Sequence, residues 1–365
     1  MKTRSFFLKL IISIGLILVF SLEIFPAVQL GNEIEADHPN IHYVGRIDFE
    51  EPKAPLIYWP GTSIVAKFEG TSLKLKLNDL SGQNFYNVII DDKDAHPFVL
   101  YCQKGEAVYP IASNLEDTVH KIEIFRRTET DTGPTIFRGF ILDSGKNLVE
   151  PPARYKRRIE FYGNSITSGM GNECSENDDQ NDESKKNNYL AYGAITARNL
   201  KAEYVCISKS GIGILISWFP LTMPEFYDRE DPSNPNSRWD FSKWMPDVVV
   251  INLFQNDSWL LHNLYPIPGS EQIIEAYLNF IRKLRDKYSE AHMFCTLGSM
   301  DATRPDSPWI GHVKSAVQKM RHDYKDDKIY CCIFPFKRTD GHPTVKEHRE
   351  MADQLTLYIK KILNW

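Results

Sequence analysis

The chain has 365 residues, of which 42% are hydrophobic, 12% aromatic and 25% charged, a composition typical of a globular protein rather than a disordered or fibrous one. This length predicts two domains, since one domain usually takes roughly 100 to 200 residues. Asp and Glu number 48 against 43 Lys and Arg, for a formal net charge of -5, and no run of basic residues suits a phosphate backbone, so nucleic acid is not expected as a partner.

The first predicted element is an apolar segment at residues 10–22 that follows Lys2, Arg4 and Lys9. Basic residues followed by an apolar run are typical of an export signal, and this run is shorter than the roughly 20 residues of a membrane-spanning helix. We predict that residues 1–27 are a signal peptide, with an uncleaved membrane anchor as the alternative. The protein is therefore expected to be exported, periplasmic or extracellular, with a possible membrane tether at its N-terminus.

Residues 42–150 follow a period of two, in which Leu73, Leu75 and Leu77 alternate with Lys74 and Lys76. Such alternation predicts strands that are buried on one face, and Gly, Asp and Asn turns separate them. An all-β jelly-roll sandwich is predicted for this domain.

After Pro151 and Pro152 the pattern changes to apolar strands that alternate with helical stretches, through residues 155–365. The predicted strands are 158–162, 203–208, 247–253, 292–297 and 328–334, and the predicted helices are 189–200, 270–288, 311–324 and 344–363. This order predicts an α/β domain with a parallel sheet covered by helices, which binds its ligands beyond the carboxyl ends of the strands.

Two features that could suggest a metal site or disulfide bonds have simpler interpretations. Cys206, Cys295, Cys331 and Cys332 all lie within predicted apolar strands, where they are expected in the core. Residues 173–186, here called the acidic segment, resemble a calcium loop only loosely because its glycine and closing glutamate are missing. We interpret the acidic segment as a solvated loop and predict no metal ion.

Four short segments each follow a predicted strand and carry reactive or polar groups to one sheet edge. They contain Ser165 in Gly-Asn-Ser-Ile-Thr, Gly211 in Ser-Gly-Ile-Gly, Asn256 in Gln-Asn-Asp and His342 in Asp-Gly-His-Pro. A serine hydroxyl is a weak nucleophile, so it needs a base within hydrogen-bond reach and donors for the oxyanion that its attack creates. Each segment alone could be an ordinary turn, but together they predict a nucleophilic site.

In order, these segments resemble the four sequence blocks of the SGNH/GDSL hydrolases, and the N-terminal half resembles the accessory domain of carbohydrate esterase family two. The second resemblance depends on Gly45-Arg46, Phe68-Glu69-Gly70-Thr71, residues 87–91, residues 121–125, Arg127-Thr128-Glu129 and Gly139-Phe140. The resemblance implies that Ser165 is the nucleophile and His342 its base. It implies oxyanion donors in the N–H groups of Ser165 and Gly211 and in the side chain of Asn256.

The third member of the catalytic group is open. Asp340 lies two residues before His342 rather than the three common in the superfamily, and residues two apart in an extended chain need a bend before their side chains meet. Some members of the family orient the histidine through a backbone carbonyl instead. A triad with Asp340 and a Ser-His dyad are both compatible with the sequence.

Sugar contacts are expected from aromatic side chains near the same edge. Some family members carry Trp at the position of Gly341, where it serves as a platform for a sugar ring. Trp218, Trp259 and Trp309 are candidates to replace it, and packing beneath a long loop is the alternative for each.

The resemblance implies a serine esterase that removes acetyl groups from oligo- or polysaccharide through an acyl-serine intermediate, without a metal or organic cofactor. Three alternatives are a carbohydrate O-acyltransferase with the same intermediate, a lipase-like esterase, and a carbohydrate-binding protein without catalysis. The intact set of Ser165, Gly211, Asn256 and His342 argues against the last.

Overall fold

The structure of the protein is a computed structural model that describes residues 31–93, 97–337 and 339–365. The predicted signal peptide or anchor at residues 1–27 lies outside these described residues. Within the described ranges, no helix is both long enough and apolar enough to cross a bilayer.

Short strands fill the N-terminal part of the chain, as its period-two pattern predicts. In chain order they are β1 (Asn32–Ile34), β2 (His42–Val44), β3 (Ile47–Asp48), β4 (Leu56–Ile57), β5 (Ser63–Gly70), β6 (Leu73–Asp79), β7 (Phe85–Ile90), β8 (Phe98–Tyr101), β9 (Gly105–Ala112), β10 (Thr118–Arg126), β11 (Thr135–Leu142) and β12 (Leu148–Val149). They form two antiparallel sheets, ordered β3-β4-β11-β6-β9 with β1 beside β11, and β12-β5-β10-β7-β8 with β2 beside β5. We call this part the β-sandwich unit.

The alternation in β6 explains why the two sheets pack face to face. Leu73, Leu75 and Leu77 are at most 1% exposed, whereas Lys74 between them is exposed to solvent. Their partners in the same core include Phe68 of β5 and Phe137 of β11, one from each sheet. Burial of one side of each strand is therefore what holds the sandwich together.

The rest of the chain, here called the α/β unit, alternates strands and helices as predicted. Its elements are β13 (Arg157–Gly163), α1 (Ser165–Ser168), α2 (Tyr192–Asn199), β14 (Ala202–Ser208), α3 (Met223–Phe226), β15 (Val248–Asn252), α4 (Gln255–Leu260), α5 (Ser270–Lys287), β16 (His292–Leu297), α6 (Trp309–Asp323), β17 (Ile329–Ile333) and α7 (Val345–Leu363). The five strands form a parallel sheet in the order β14-β13-β15-β16-β17. The prediction of a parallel sheet is confirmed.

Helices cover both faces of this sheet. Val249 and Ile251 of β15 belong to a core shared with α5 and α6, and Val248 and Val250 belong to a second core shared with α2 and α7. Neighbouring residues of a strand point to opposite faces, which explains the continuous apolar run of β15. Cys206, Cys295 and Cys332 are buried in these cores and Cys331 is half-buried, as expected.

A buried ion pair connects the β-sandwich unit to the α/β unit. The guanidinium of Arg46 lies 3.0 Å from a carboxylate oxygen of Glu160 on β13, and both side chains are at most 1% exposed. The same guanidinium donates to the hydroxyl of Tyr162 and to the carbonyl oxygens of Tyr227 and Arg229. Because a buried charge is tolerated only when it is paired and hydrogen-bonded, this contact fixes how the two units meet.

Candidate active site

Ser165 lies where β13 ends and the short helix α1 begins. Asn164 caps this helix, since its side-chain oxygen accepts a hydrogen bond from the backbone N–H of Ile166 at 3.1 Å. Ser165 is therefore the first helical residue, and its hydroxyl emerges at the carboxyl edge of the sheet.

His342 reaches the same edge from the other end of the α/β unit. It lies between β17 and α7, just before Thr344 and Glu347, which form the predicted capping box of α7. Its Nε2 atom lies 2.9 Å from the hydroxyl oxygen of Ser165. This is the separation that a base needs to accept the proton of a serine nucleophile.

The other ring nitrogen of His342 contacts Gln180, a residue that sequence reasoning missed. The side-chain oxygen of Gln180 lies 2.7 Å from His342 Nδ1 and accepts the backbone N–H of the same histidine at 3.1 Å. Gln180 belongs to the acidic segment, which is a mostly exposed or half-buried loop, and the prediction of a solvated loop missed this contact with His342. No residue type or spacing could have revealed this contact, because the two residues are 162 positions apart.

The structure does not bring Asp340 to the imidazole. Among the described residues, no hydrogen bond joins its exposed carboxylate to His342, and the position that a triad acid would take is occupied by Gln180. The backbone carbonyl of Asp340 instead accepts the ammonium of Lys337 at 3.2 Å. The physical reason is that the chain turns at Gly341, whose φ is +68°, and that Gln180 already contacts the ring nitrogen which a triad acid would use. Of the two alternatives that the sequence leaves open, the triad with Asp340 as a catalytic residue is therefore contradicted by the structure.

The environment of His342 keeps its imidazole neutral. Burial, followed by the positive charges of Lys337 and Lys186, lowers the pKa of His342 to about 4. Lys186 is held nearby by Glu183, at 2.6 Å, and by Glu129, at 3.7 Å. A neutral imidazole is the form that can accept the serine proton, so the base is ready at neutral pH.

The lowered pKa of His342 predicts a pH profile of activity with an unusually acidic limb. Because only neutral His342 accepts a proton and its pKa is lowered to about 4, we expect kcat/KM to stay flat on descending from pH 7 to about pH 5 and to fall below about pH 4. Hydrolysis of an aryl acetate across this range measures the profile. An acid limb near pH 6.5, the value of an unperturbed histidine, would contradict the electrostatic account.

The predicted oxyanion donors are two backbone N–H groups and one side-chain amide. Within the described part of the chain, the N–H groups of Ser165 and Gly211 donate to no carbonyl of a turn or loop. Gly211 has a φ of +82°, a conformation that suits glycine. The Nδ2 atom of Asn256 donates one hydrogen to the carbonyl of Ile212 at 2.8 Å, which leaves its second hydrogen for a ligand.

Asp257 fixes the loop that follows Gly211, a contribution that the sequence did not reveal. Its buried carboxylate accepts the N–H groups of Ile214, Leu215 and Ile216, at 2.7 to 3.3 Å for its Oδ1 atom. Burial raises the pKa of Asp257 to about 6 in spite of these bonds. Three backbone donors converge on the Asp257 carboxylate and stabilise this loop. Because Asp257 directly follows Asn256 and the loop directly follows Gly211, these bonds help to hold both residues in place.

The β-sandwich unit also contributes to this site, through Glu129. Its carboxylate accepts the backbone N–H of Ser210 at 2.8 Å and the hydroxyl of Ser210 at 2.6 Å. Glu129 is 1% exposed, and Ser210 directly precedes Gly211. The position of one predicted oxyanion donor is therefore set by the other structural unit.

We expect Glu129→Gln to lower kcat by at least ~10-fold, because an amide offers only one acceptor oxygen where Ser210 donates twice, and small displacements of catalytic donors are costly. Steady-state kinetics with an aryl acetate measure the effect. The matched control is Asp131→Asn, which changes an acid two residues away that pairs with Lys209 at the surface. Equal kcat values in Glu129→Gln and the wild type would refute this role for the sandwich.

The three candidate tryptophans lie in different environments. Trp218 is 63% exposed and donates its ring N–H to Asn256 Oδ1 at 3.2 Å, beside the predicted oxyanion donors. Trp259 is half-buried and donates to Asp301 at 2.9 Å. Trp309 is 6% exposed and packs against Phe254 in the core, so its prediction as a sugar contact is wrong. Its apolar ring is explained by packing, because α6 begins at this residue and faces the sheet.

The geometry defines a class of protein. A serine that is hydrogen-bonded to a histidine at the carboxyl edge of a parallel sheet matches the site of the SGNH hydrolases, here fused to an antiparallel β-sandwich. A family model for the carbohydrate esterase 2 N-terminal domain matches residues 43–152.

Known proteins resemble about nine tenths of the chain. It is 34% identical over 345 residues to the cellulase/esterase CelE of Acetivibrio thermocellus, which covers 91% of this chain, and the chain spans 40% of that protein's length. It is 25% identical over 341 residues to an acetylxylan esterase/glucomannan deacetylase of Cellvibrio japonicus, with 91% of each covered. A solved structure of a family two carbohydrate esterase from Clostridium thermocellum in complex with cellohexaose has 33% identity and a TM-score of 0.80, over 89% of this chain and 99% of that one. The chain belongs to carbohydrate esterase family two.

Proposed function

We propose that the protein is a carbohydrate O-acetylesterase in which Ser165 is the nucleophile and His342 the base. The observation that carries the proposal is the 2.9 Å contact between the Ser165 hydroxyl and His342 Nε2. The relatives named as acetylxylan esterase and glucomannan deacetylase support acetylated polysaccharide as the substrate class.

The proposed reaction has two acyl-transfer steps. Ser165 Oγ attacks the ester carbonyl while its proton passes to His342 Nε2, and the resulting oxyanion is held by the N–H groups of Ser165 and Gly211 and by Asn256 Nδ2. His342 returns the proton to the departing sugar oxygen, which leaves an acetyl group on Ser165. Water then attacks this ester with His342 as base, so acetate is released and the serine is restored.

We expect the protein to prefer a short acyl group to a long one. The sandwich-fused architecture resembles that of sugar esterases, and the sequence offers no long apolar lid segment. Faster cleavage of an octanoyl ester than of an acetyl ester would favour a lipase-like activity instead.

Trp218 is proposed as the platform for a sugar ring, because it is exposed and directly bonded to Asn256. We expect Trp218→Ala to raise KM for an acetylated oligosaccharide roughly 3- to 10-fold, which corresponds to the typical value of one ring contact. An aryl acetate has no sugar to stack, so its KM serves as the internal control. If KM rises equally for both substrates, Trp218 acts on the shape of the site rather than on the sugar.

The direct test of this function is acetate release by the purified protein from acetylated xylan, acetylated glucomannan and simple hexose acetates. Acetate release from at least one carbohydrate ester is expected. Hydrolysis confined to aryl or long-chain esters would contradict the proposal. Addition of a free sugar acceptor to the same assay would reveal acyl transfer as an acylated acceptor.

The architecture and location complete the proposal. A jelly-roll connectivity at residues 42–150 is supported by the chain's repeated crossing between sheets, since β5, β7, β10 and β12 belong to one sheet and β6, β9 and β11 to the other. Residues 155–365 would form the catalytic domain.

Export is supported by the basic and then apolar order of residues 2–22, and N-terminal sequencing of the protein made by its host would test it.

A further inference from the structure

We propose that Gln180 is the positioning residue of this active site, and that its neutral amide takes the place of the acid in a serine triad. The inference rests on the proposed esterase function, because it assigns to Gln180 the orientation of the base that this function requires. Gln180 would act through His342 and would not touch the substrate.

The orientation of the Gln180 amide follows from its two contacts with His342. The atom that faces His342 Nδ1 at 2.7 Å also faces the backbone N–H of His342 at 3.1 Å. A backbone N–H can only donate, so the facing atom of Gln180 must be its oxygen.

The same reasoning fixes the tautomer of the imidazole. Because the Gln180 oxygen only accepts, Nδ1 must carry the proton of the neutral ring, and Nε2 must then present its lone pair to the Ser165 hydroxyl at 2.9 Å. This is the tautomer that accepts the serine proton. A triad acid achieves the same orientation with a charged oxygen.

Gly341 makes room for this arrangement. A Cβ atom at this position would overlap the amide nitrogen of Gln180, and the backbone φ of +68° also disfavours a side chain. Gly341 and Gln180 therefore form a matched pair. A larger side chain at position 341 would therefore displace the Gln180 amide.

The two ends of the acidic segment are anchored, so Gln180 is not on a free loop. Arg127 of the β-sandwich unit binds the carboxylate of Glu173 and donates to the carbonyl of Ser184 at 3.0 Å. Asn187 donates to Glu173 at 3.1 Å and accepts from Asn87 of β7 at 3.1 Å. The sandwich thus holds the segment that carries Gln180 against the histidine.

The charged groups around His342 determine whether its protonated form has a counter-charge, and a neutral amide at Gln180 does not provide one. Lys337 follows β17, Lys186 ends the acidic segment, and both place positive charge near the ring. His348 of α7 is also close and is kept neutral by burial, which lowers its pKa to about 3.

The carboxylates of Glu129 and Glu183 pair with Lys186, and that of Glu347 bonds to Thr339 and Thr344. No carboxylate among the described residues contacts the ring of His342, so its protonated form has no direct counter-charge.

The test compares pH profiles of kcat/KM for an aryl acetate in four variants and the wild type. Gln180→Glu keeps the acceptor but adds a charge, whereas Gln180→Met keeps the length but removes the acceptor. Asn177→Asp adds the same charge to an exposed position of the acidic segment and is the matched control. Ser165→Ala reports on the esterase assignment, and thermal unfolding confirms that each variant is folded.

For Gln180→Glu we expect the acid limb to move up by at least about one pH unit, because a carboxylate stabilises the imidazolium form. For Gln180→Met we expect a plateau at least ~10-fold lower, because the tautomer is no longer fixed. Asn177→Asp should match the wild type.

The inference is overturned if folded Gln180→Met stays within about twofold of the wild type on the plateau, or if the acid limb of Gln180→Glu coincides with that of Asn177→Asp. If Gln180 only stabilised the acidic segment, its substitution would not move the acid limb of the pH profile. Retained activity in Ser165→Ala would overturn the esterase assignment itself, and the two failures are therefore distinguishable.

Discussion

Ser165→Ala is expected to lower kcat/KM for an aryl acetate by at least ~10²-fold, because acyl transfer loses its nucleophile and, among the described residues, no other hydroxyl is hydrogen-bonded to His342 Nε2. The fold should be unaffected, since the substitution removes one oxygen at a helix start whose cap is Asn164. Steady-state kinetics and thermal unfolding of both proteins measure these two expectations.

Ser168→Ala is the matched control for that experiment. Ser168 ends the same short helix, but its hydroxyl bonds to Ser208 at 2.8 Å rather than to His342. We expect Ser168→Ala to retain most activity. Near wild-type turnover by a folded Ser165→Ala protein would exclude this site as the active site.

Asn256→Ala is expected to lower kcat by about 10²- to 10³-fold with little change in KM, since a donor to the oxyanion acts only in the transition state. The structure supports this expectation because one hydrogen of Asn256 Nδ2 is engaged by the Ile212 carbonyl, which orients the other. Full kinetics with an aryl acetate and with an acetylated oligosaccharide separate the two parameters.

An effect of Asn256→Ala on KM rather than on kcat would change the role assigned to Asn256. If the substitution raises KM and spares kcat, Asn256 binds the ground state of the substrate instead. An effect on kcat and an effect on KM must be measured separately because Asn256 also accepts a hydrogen bond from Trp218. Loss of that bond alone would disturb the proposed sugar platform.

The parallel sheet and the positions of the predicted catalytic groups follow from local sequence. The strand predicted at 292–297 is β16 (His292–Leu297). A short apolar run between polar turns is typical of a strand that is buried on both faces of a parallel sheet. His342 could be placed at the sheet edge because Thr344 and Glu347 mark the start of α7 within a residue. Local patterns thus determine which residues follow each strand.

Contacts between distant parts of the chain could not be predicted in this way. Gln180 lies in a polar segment that resembles any solvated loop, and Glu129 lies 81 positions from Ser210 in another structural unit. Trp309 shows the opposite error, since a large aromatic residue near a loop can equally face the core, and its burial depends on the packing of α6. Tertiary packing, rather than residue type or spacing, decides each of these cases.

The most direct test of the central claim is to trap the acyl group on Ser165. Acetylated glucomannan with isotopically labelled acetyl groups would be mixed with the protein, quenched in acid within milliseconds to seconds, digested and mapped by mass spectrometry. The account predicts labelled acetyl on the peptide that contains Ser165, and none in Ser165→Ala. Release of labelled acetate without any labelled peptide, or with the label on another residue, would contradict it.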